Sequence, residues 1–253
     1  AVEPPFRSLT ETRLARRDIS GRPVPPGLPG PSRFPATLER DRPGMQPGTA
    51  GDSRFGPMNH LGELRNMDIV RRTIERYVTL TEAEWSAIAP CWREYAFGRG
   101  SEVCAVGEVE QRFYIVKSGV QRLSFPHDGR DICVGFAYDG SWCGEYASFL
   151  TRKPARFDVV ALTDSVLVGI EHDDLQKLYV EQPVMERFGR LILEELLVGR
   201  AMREIEQLSL SAEERFDRLV KRSPQLLQLV PQKDIASYLR MTPETFSRAR
   251  KRR

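Results

Sequence analysis

Residues suited to holding a metal are scarce in this chain. Its three histidines, His60, His127 and His172, stand far apart, and Cys91, Cys104, Cys133 and Cys143 are separated by 13, 29 and 10 positions. No CxxC pair or zinc-type spacing results, so neither a metal nor another cofactor is expected. No Ser/His/Asp or Cys/His set is suggested by spacing, and no Gly-rich loop is placed to cradle a nucleoside triphosphate. An enzymatic reading therefore has little to stand on. A run of about 18 apolar residues, as a membrane-spanning helix needs, is also missing. The first residues do not combine a basic stretch with an apolar one, so secretion is not indicated. Scattered thiols without a disulfide framework add to the expectation of a reducing cytoplasm.

What the chain does have is unevenly placed. An apolar content of 40% beside 29% charged residues gives a soluble globular composition with room for two modest domains in 253 residues. Eleven of the 18 prolines fall within residues 1–57, with many Gly and Arg and little periodicity. Such a stretch cannot bury enough apolar area to offset chain entropy. It is expected to be a disordered extension that contributes neither fold nor function. Met58 and Met67 both precede the patterned sequence.

Two short helices come first, one over Ile69, Val70, Ile74 and Tyr77. The second is opened by Thr81 and Glu84 as a capping box ahead of Trp85 and Ile88. From Trp92 to Ile170 the pattern changes to short strand-like runs: REYAF, SEVCAV, RFYIVKSG, VQRLSF, DICVGFAY, FDVVAL and SVLVGI. Asp128-Gly129, Asp139-Gly140 and Lys117-Ser118-Gly119 mark turns between them. Several short strands at regular spacing predict an antiparallel sandwich or roll. HDDLQKLYVEQP then reads as a short helix ended by Pro183, and a long helix follows from about Val184 to Leu208. Its Val184, Phe188, Leu191, Val198, Met202 and Ile205 step by threes, fours and a seven, as a helix pairing with its own copy requires. Ile192, Leu196 and Leu197 widen the apolar surface enough to pack on the roll as well. Ser211 and Glu214 open another helix that buries Phe216, Leu219 and Val220, and Leu226, Leu227, Leu229 and Val230 supply core beyond Pro224.

Positive charge gathers in the last 23 residues, Pro231 to Arg253. Seven Lys or Arg against Asp234 and Glu244 leave that stretch at +5, while the whole chain is +3. Ile235, Ala236, Leu239, Met241, Phe246 and Ala249 fall where two short helices would bury them against each other and a body. Thr242, Pro243 and Glu244 form a helix start: a capping hydroxyl, a Pro at the first position, an acid in the first turn. A basic helix that merely stays solvated needs none of this spacing. Two helices across a short turn, the second ending in Arg and Lys, predict a helix-turn-helix on double-stranded DNA. Glu244, Ser247 and Arg248 would face bases, and Arg250, Lys251, Arg252 and Arg253 would grip phosphate.

The motif Glu244-Thr245-Phe246-Ser247-Arg248 resembles that of the Crp/Fnr family of bacterial transcription regulators, in its Fnr-like version. The likeness extends over about Thr81 to Arg253. Gly140-Ser141-Trp142-Cys143-Gly144-Glu145, followed by Pro154-Ala155-Arg156, resembles the phosphate-binding cassette of cyclic-nucleotide-binding β-rolls. In cyclic AMP receptors of this type the Gly-Glu carboxylate holds the ribose hydroxyl and an Arg-Ser pair holds the cyclic phosphate. Here those two positions fall on Ala155 and Arg156. Ala155 offers phosphate nothing, and Arg156 would leave on the other face of an extended strand. Cyclic AMP is therefore not expected to bind. Gly144, Glu145 and Arg156 stay as candidates for a different or unfilled effector pocket. Two departures mark the C-terminal motif: Arg240 stands where the turn usually carries Gly, and no residues for a winged hairpin follow the second helix. The body of the protein must supply that support.

These readings give an α+β chain. After the extension at 1–57 come a β-roll sensor with flanking helices at 58–182, a dimerisation helix at 183–208, and a wingless helix-turn-helix domain at 209–253. The resemblance implies a homodimeric DNA-binding transcription regulator on a palindromic, TTGA-like half-site, with RNA polymerase as a partner and an unknown effector. A cyclic-nucleotide-binding module acting on a protein partner, its basic tail incidental, is the alternative.

Overall fold

The computed structural model describes residues 67–252. The 1–57 extension, Met58, His60 and Arg253 lie outside the described residues. Helix α1 (Asp68–Glu75) and helix α2 (Glu82–Ile88) lead through a 3-10 turn into the first strand. The Thr81–Glu84 capping box is present: the Glu84 N–H donates to Thr81 Oγ1 (3.2 Å) and the Thr81 N–H to Glu84 Oε2 (2.8 Å). Eight strands follow: β1 (Trp92–Phe97), β2 (Glu102–Cys104), β3 (Arg112–Ser118), β4 (Val120–His127), β5 (Arg130–Tyr138), β6 (Trp142–Cys143), β7 (Asp158–Ala161) and β8 (Ser165–Glu171). Helix α3 (Tyr146–Thr151) interrupts them between β6 and β7. Seven coincide with the strand-like runs of the sequence. The two-residue β6 does not, because no alternation can be read from so short a piece.

The strands form two antiparallel sheets, ordered β1-β8-β3-β6 and β2-β7-β4-β5. Side chains alternate across β3 and β8 and split between two cores. Tyr114, Val116 and Leu167 face the interior between the sheets with Cys104, Cys143 and Val159. Ile115, Val168 and Ile170 face outward, where α1, α2, α4 (His172–Glu181) and the first turns of α5 (Pro183–Ser209) cover them. Pro183 opens α5 rather than closing α4; its missing N–H costs nothing at a first helical position.

Four helices follow: α6 (Ala212–Arg222), the short α7 (Leu226–Leu229), α8 (Gln232–Tyr238) and α9 (Pro243–Lys251). The Ser211–Glu214 capping box starts α6 as expected. Phe216, Leu219, Leu226, Val230, Ile235, Ala236, Leu239, Phe246 and Ala249 form one core. Leu229, expected inside, is exposed. That core is not closed by the helices alone: Val120 belongs to it, and Phe136, Tyr138 and Leu162 pack against it. The outer face of the β4–β5 side of the roll thus covers the helical module.

Candidate nucleic-acid interface and effector pocket

Helix α8 ends at a tight turn in which Arg240 has φ +54°, the left-handed region that a β-carbon disfavours. The Met241 N–H reaches back to the Ala236 carbonyl (2.9 Å) and closes the turn. Thr242 then caps α9, its Oγ1 accepting from the Thr245 N–H (3.3 Å), with Pro243 at the first position. Phe246 and Ala249 are buried, Phe246 edge-on to Phe216 at 5.5 Å between ring centroids. The opposite face carries Glu244, Arg248 and Lys251, all exposed, with Ser247 half-buried beside them; Arg250, also exposed, flanks Phe246. Glu244 is held below the usual carboxylate range by hydrogen bonds from Thr242 and its own N–H and by the Arg248 charge, so it stays an acceptor. Arg248 is steadied by a long contact to Thr245 Oγ1 (3.4 Å). Arg252, expected to be free for phosphate, is paired with Glu213 of α6. It would have to leave that carboxylate to reach DNA.

The roll supports this module through contacts that the sequence did not announce. Arg122 of β4 pairs with Asp234 of α8 at 3.0 Å, both largely buried. The Cys133 N–H of β5 donates to Ser237 Oγ (2.9 Å), the Tyr138 hydroxyl meets Ser223 Oγ (2.6 Å), and the Phe136 and Tyr238 rings lie 5.2 Å apart. Strands β4 and β5 thus provide the module with a floor.

At the cassette, Gly144 has φ +134° and delivers Glu145 to the start of α3. Glu145 is buried, and its carboxylate accepts from the Ser148 N–H, so it caps the helix. Beside it lies a second buried acid, Glu110, which accepts from the Arg112 N–H (3.2 Å) and the Glu145 N–H (3.3 Å). Burial pushes Glu110 above the usual carboxylate range. Ala155 is buried, its N–H bonded to the Glu108 carbonyl (2.7 Å). Arg156 is exposed on the far side, its guanidinium 5.5 Å from the Phe125 ring. Gly144 and Glu145 are therefore brought together and Arg156 is not. The guanidinium nearest the cassette is that of Arg152, which spends itself on the carbonyls of Glu110 (2.6 Å) and Phe149 and on Gln111 Oε1 (2.6 Å).

The long helix divides the expected seam. Phe188 is 2% exposed and belongs to the core against the first sheet, with Val184 and Leu191 packed partly against it. Phe188 is thus an intramolecular anchor. Val198, Met202 and Ile205 are more than half exposed, and Leu197, expected on the roll, is 70% exposed with Leu208 at 79%. The outward strip runs through Leu191, Val198 and Ile205, seven residues apart, with Ala201 and Leu208 alongside. Among the described residues no group of His, Cys, Asp and Glu could hold a metal, and no helix is long and apolar enough to cross a membrane. The buried thiols of Cys104, Cys133 and Cys143 are all pushed up by burial, that of Cys133 to about 12.

No curated protein matches the sequence. A family model, the cyclic nucleotide-binding domain, matches residues 95–182. Among solved structures, FixK2 from Bradyrhizobium japonicum is 22% identical, covering 64% of this chain and 83% of its own, with a TM-score of 0.52. CLP from Xanthomonas campestris, described as a c-di-GMP-responsive global regulator, is 16% identical over 68% of this chain and 91% of its own, TM-score 0.51. A CooA mutant from Carboxydothermus hydrogenoformans is 13% identical over 72% and 83%, TM-score 0.52. Residues 95–182 thus match a cyclic nucleotide-binding domain, and the chain shares the fold of these proteins.

Proposed function

We propose that this protein is a homodimeric transcription regulator that reads double-stranded DNA with α9, under control of an effector other than cyclic AMP. The observation that carries the reading is the face of α9: Glu244 and Arg248 stand clear of the core, with Arg250 and Lys251 following, while Phe246 and Ala249 hold the helix down. A carboxylate can accept from cytosine N4 and a guanidinium can donate twice to guanine O6 and N7. Two copies are required for an inverted repeat, and the apolar strip Val198, Met202, Ile205 and Leu208 is the surface on which a second copy would lie. Refusal of cyclic AMP is supported by the cassette. A cyclic phosphate would meet the Glu110 and Glu145 carboxylates with Ala155 in place of a guanidinium and Arg156 turned away. Regulation would shift the population between two spacings of the reading helices, with RNA polymerase as the downstream partner.

The test is titration of a palindromic duplex carrying TTGA-like half-sites, and of a scrambled duplex, at several salt concentrations. Tighter binding to the palindrome, with two chains per duplex, is expected. Equal affinity for both duplexes would reduce the module to a basic patch, and favour the alternative of a sensor module acting on a protein partner.

A further inference from the structure

Where the roll, the long helix and the helical module meet, the chain encloses a cleft of about 200 Å³. Its polar lining is Tyr138 of β5, Arg203 of α5, Arg222 and Ser223 at the end of α6, and Tyr238 of α8. The cleft is separate from the cyclic-nucleotide cassette, none of whose residues line it.

Charge in this cleft is one-sided. The Arg203 guanidinium lies 3.9 Å from the Tyr238 ring centroid and is only partly exposed. Among the described residues it has no carboxylate partner and no hydrogen bond. Burial and the neighbouring Arg222 and Arg200 all disfavour its charge. Arg222 has no ion pair there either, its Nη2 reaching only the Tyr238 hydroxyl at 3.2 Å. The Tyr238 ring offers Arg203 a cation–π contact and Arg222 is exposed to solvent, yet no anion faces the half-buried Arg203 guanidinium. Arg122, Arg218 and Arg252 are paired, with Asp234, Glu206 and Glu213, whereas the neighbouring Arg200 is exposed to solvent.

Gly199 is the second observation. It sits in the middle of a 27-residue helix, where Gly is unfavourable relative to Ala. Gly189 in the same helix has a packing reason, because a β-carbon there would strike the Tyr179 ring. Gly199 has none: a β-carbon built on it meets nothing within 4 Å, and the residue lines the cleft. Its missing side chain keeps space open.

We propose that this cleft binds a small phosphate-bearing anion between Arg203 and Arg222, with the Tyr138, Ser223 and Tyr238 hydroxyls as further partners. Two guanidiniums match phosphate oxygens in pairs, and the hydroxyls can donate to the rest. Pockets for drug-sized ligands measure roughly 300–1,000 Å³, so this smaller cleft suits a phosphate with a short organic group. Because the lining comes from β5, α5, α6 and α8, an occupant would tie the sensor roll to the DNA-reading module. That regulatory consequence rests on the function proposed above; the binding itself does not.

Calorimetric titration of the full-length protein with inorganic phosphate and with pyrophosphate, without DNA and at matched ionic strength in chloride, tests the site. One saturable site per chain is expected. Arg203→Gln should weaken it at least tenfold. Gly199→Leu should block it by filling the cleft, while its circular dichroism spectrum stays that of the parent. Absence of saturable binding, or binding that both variants leave intact, overturns the proposal. Since no DNA is present, a negative result leaves the DNA-binding reading standing, and a failure to bind DNA leaves this one standing.

Discussion

At the scale of single residues, Arg240 holds a backbone conformation that costs an L-residue free energy and costs Gly almost none. Arg240→Gly should therefore raise stability by about 1 kcal/mol, read as a higher denaturant midpoint with unchanged slope. A lower midpoint would mean that the side chain makes a contact worth more than the strain. Glu110 provides a pH signature. Its folded pKa lies above the ordinary value of 4.5, so the folded state holds the proton more tightly than the unfolded one. From about pH 4.5 upward, then, stability is lost as pH rises through the raised folded value. The capping acids Glu84 and Glu214 are shifted down instead, so their contribution is lost only below that window, as pH falls through their folded values. Thermal melts from pH 5 to 8 should decline for the wild type, and the slope should flatten in Glu110→Gln. An unchanged slope would assign the decline elsewhere. On α9, Arg248→Ala should cost about 1–3 kcal/mol on the preferred duplex and little on a scrambled one. Arg250→Ala should weaken both alike and lower the salt slope by roughly one ion. Matching losses on both duplexes for the two variants would mean that α9 holds DNA without reading it.

Among elements, α5 carries an apolar spacing that two arrangements can satisfy. A stripe at steps of three and four suits a helix lying on a sheet as well as one paired with its copy. Phe188 satisfies the second pattern in the sequence and obeys the first in the fold, because α4, α5 and the outer face of β3 and β8 enclose it. Farther along, Val198, Met202 and Ile205 remain outside. The two ends should respond differently. Phe188→Ala should cost about 3–5 kcal/mol of fold stability without altering the oligomer of the folded fraction. Met202→Glu should leave the roll intact and convert a dimer to monomer in sedimentation at micromolar concentration, because it sets carboxylates face to face in a dry seam. A Met202→Glu protein that sediments like the wild type would remove this strip from the interface. Elements with local rules were legible beforehand: both capping boxes, the Thr242–Pro243 start and seven of eight strands depend on neighbours in sequence. The cassette was legible in part. Ala155 can be read directly, but Arg156 lies in a bend ahead of β7, so its exposure does not come from strand alternation, and Glu110, thirty-five positions before Glu145, carries no sequence signal of the carboxylate it will meet.

For the molecule as a whole, the contacts that matter most join distant stretches of ordinary-looking sequence. Phe136 and Tyr138 read as strand residues and Tyr238 as a helix residue, and nothing in their spacing says that they meet. Yet the core of the helical module includes Val120, and the Arg122–Asp234 pair and the Cys133–Ser237 hydrogen bond fasten α8 to β4 and β5. A module that shares its core with the roll should not unfold separately. All three tryptophans, Trp85, Trp92 and Trp142, lie in the roll or the helices on its other side, so their fluorescence reports that part of the molecule. Circular dichroism in the far ultraviolet reports the helices throughout. Asp234→Ala, a change inside the helical module, leaves Arg122 without its counter-charge, at a cost of about 3 kcal/mol. Both signals should then shift together to a lower midpoint, the tryptophans sensing a mutation made across the interface. A wild-type-like fluorescence transition beside an early loss of helix would show that the module melts alone, and that the roll is only its floor.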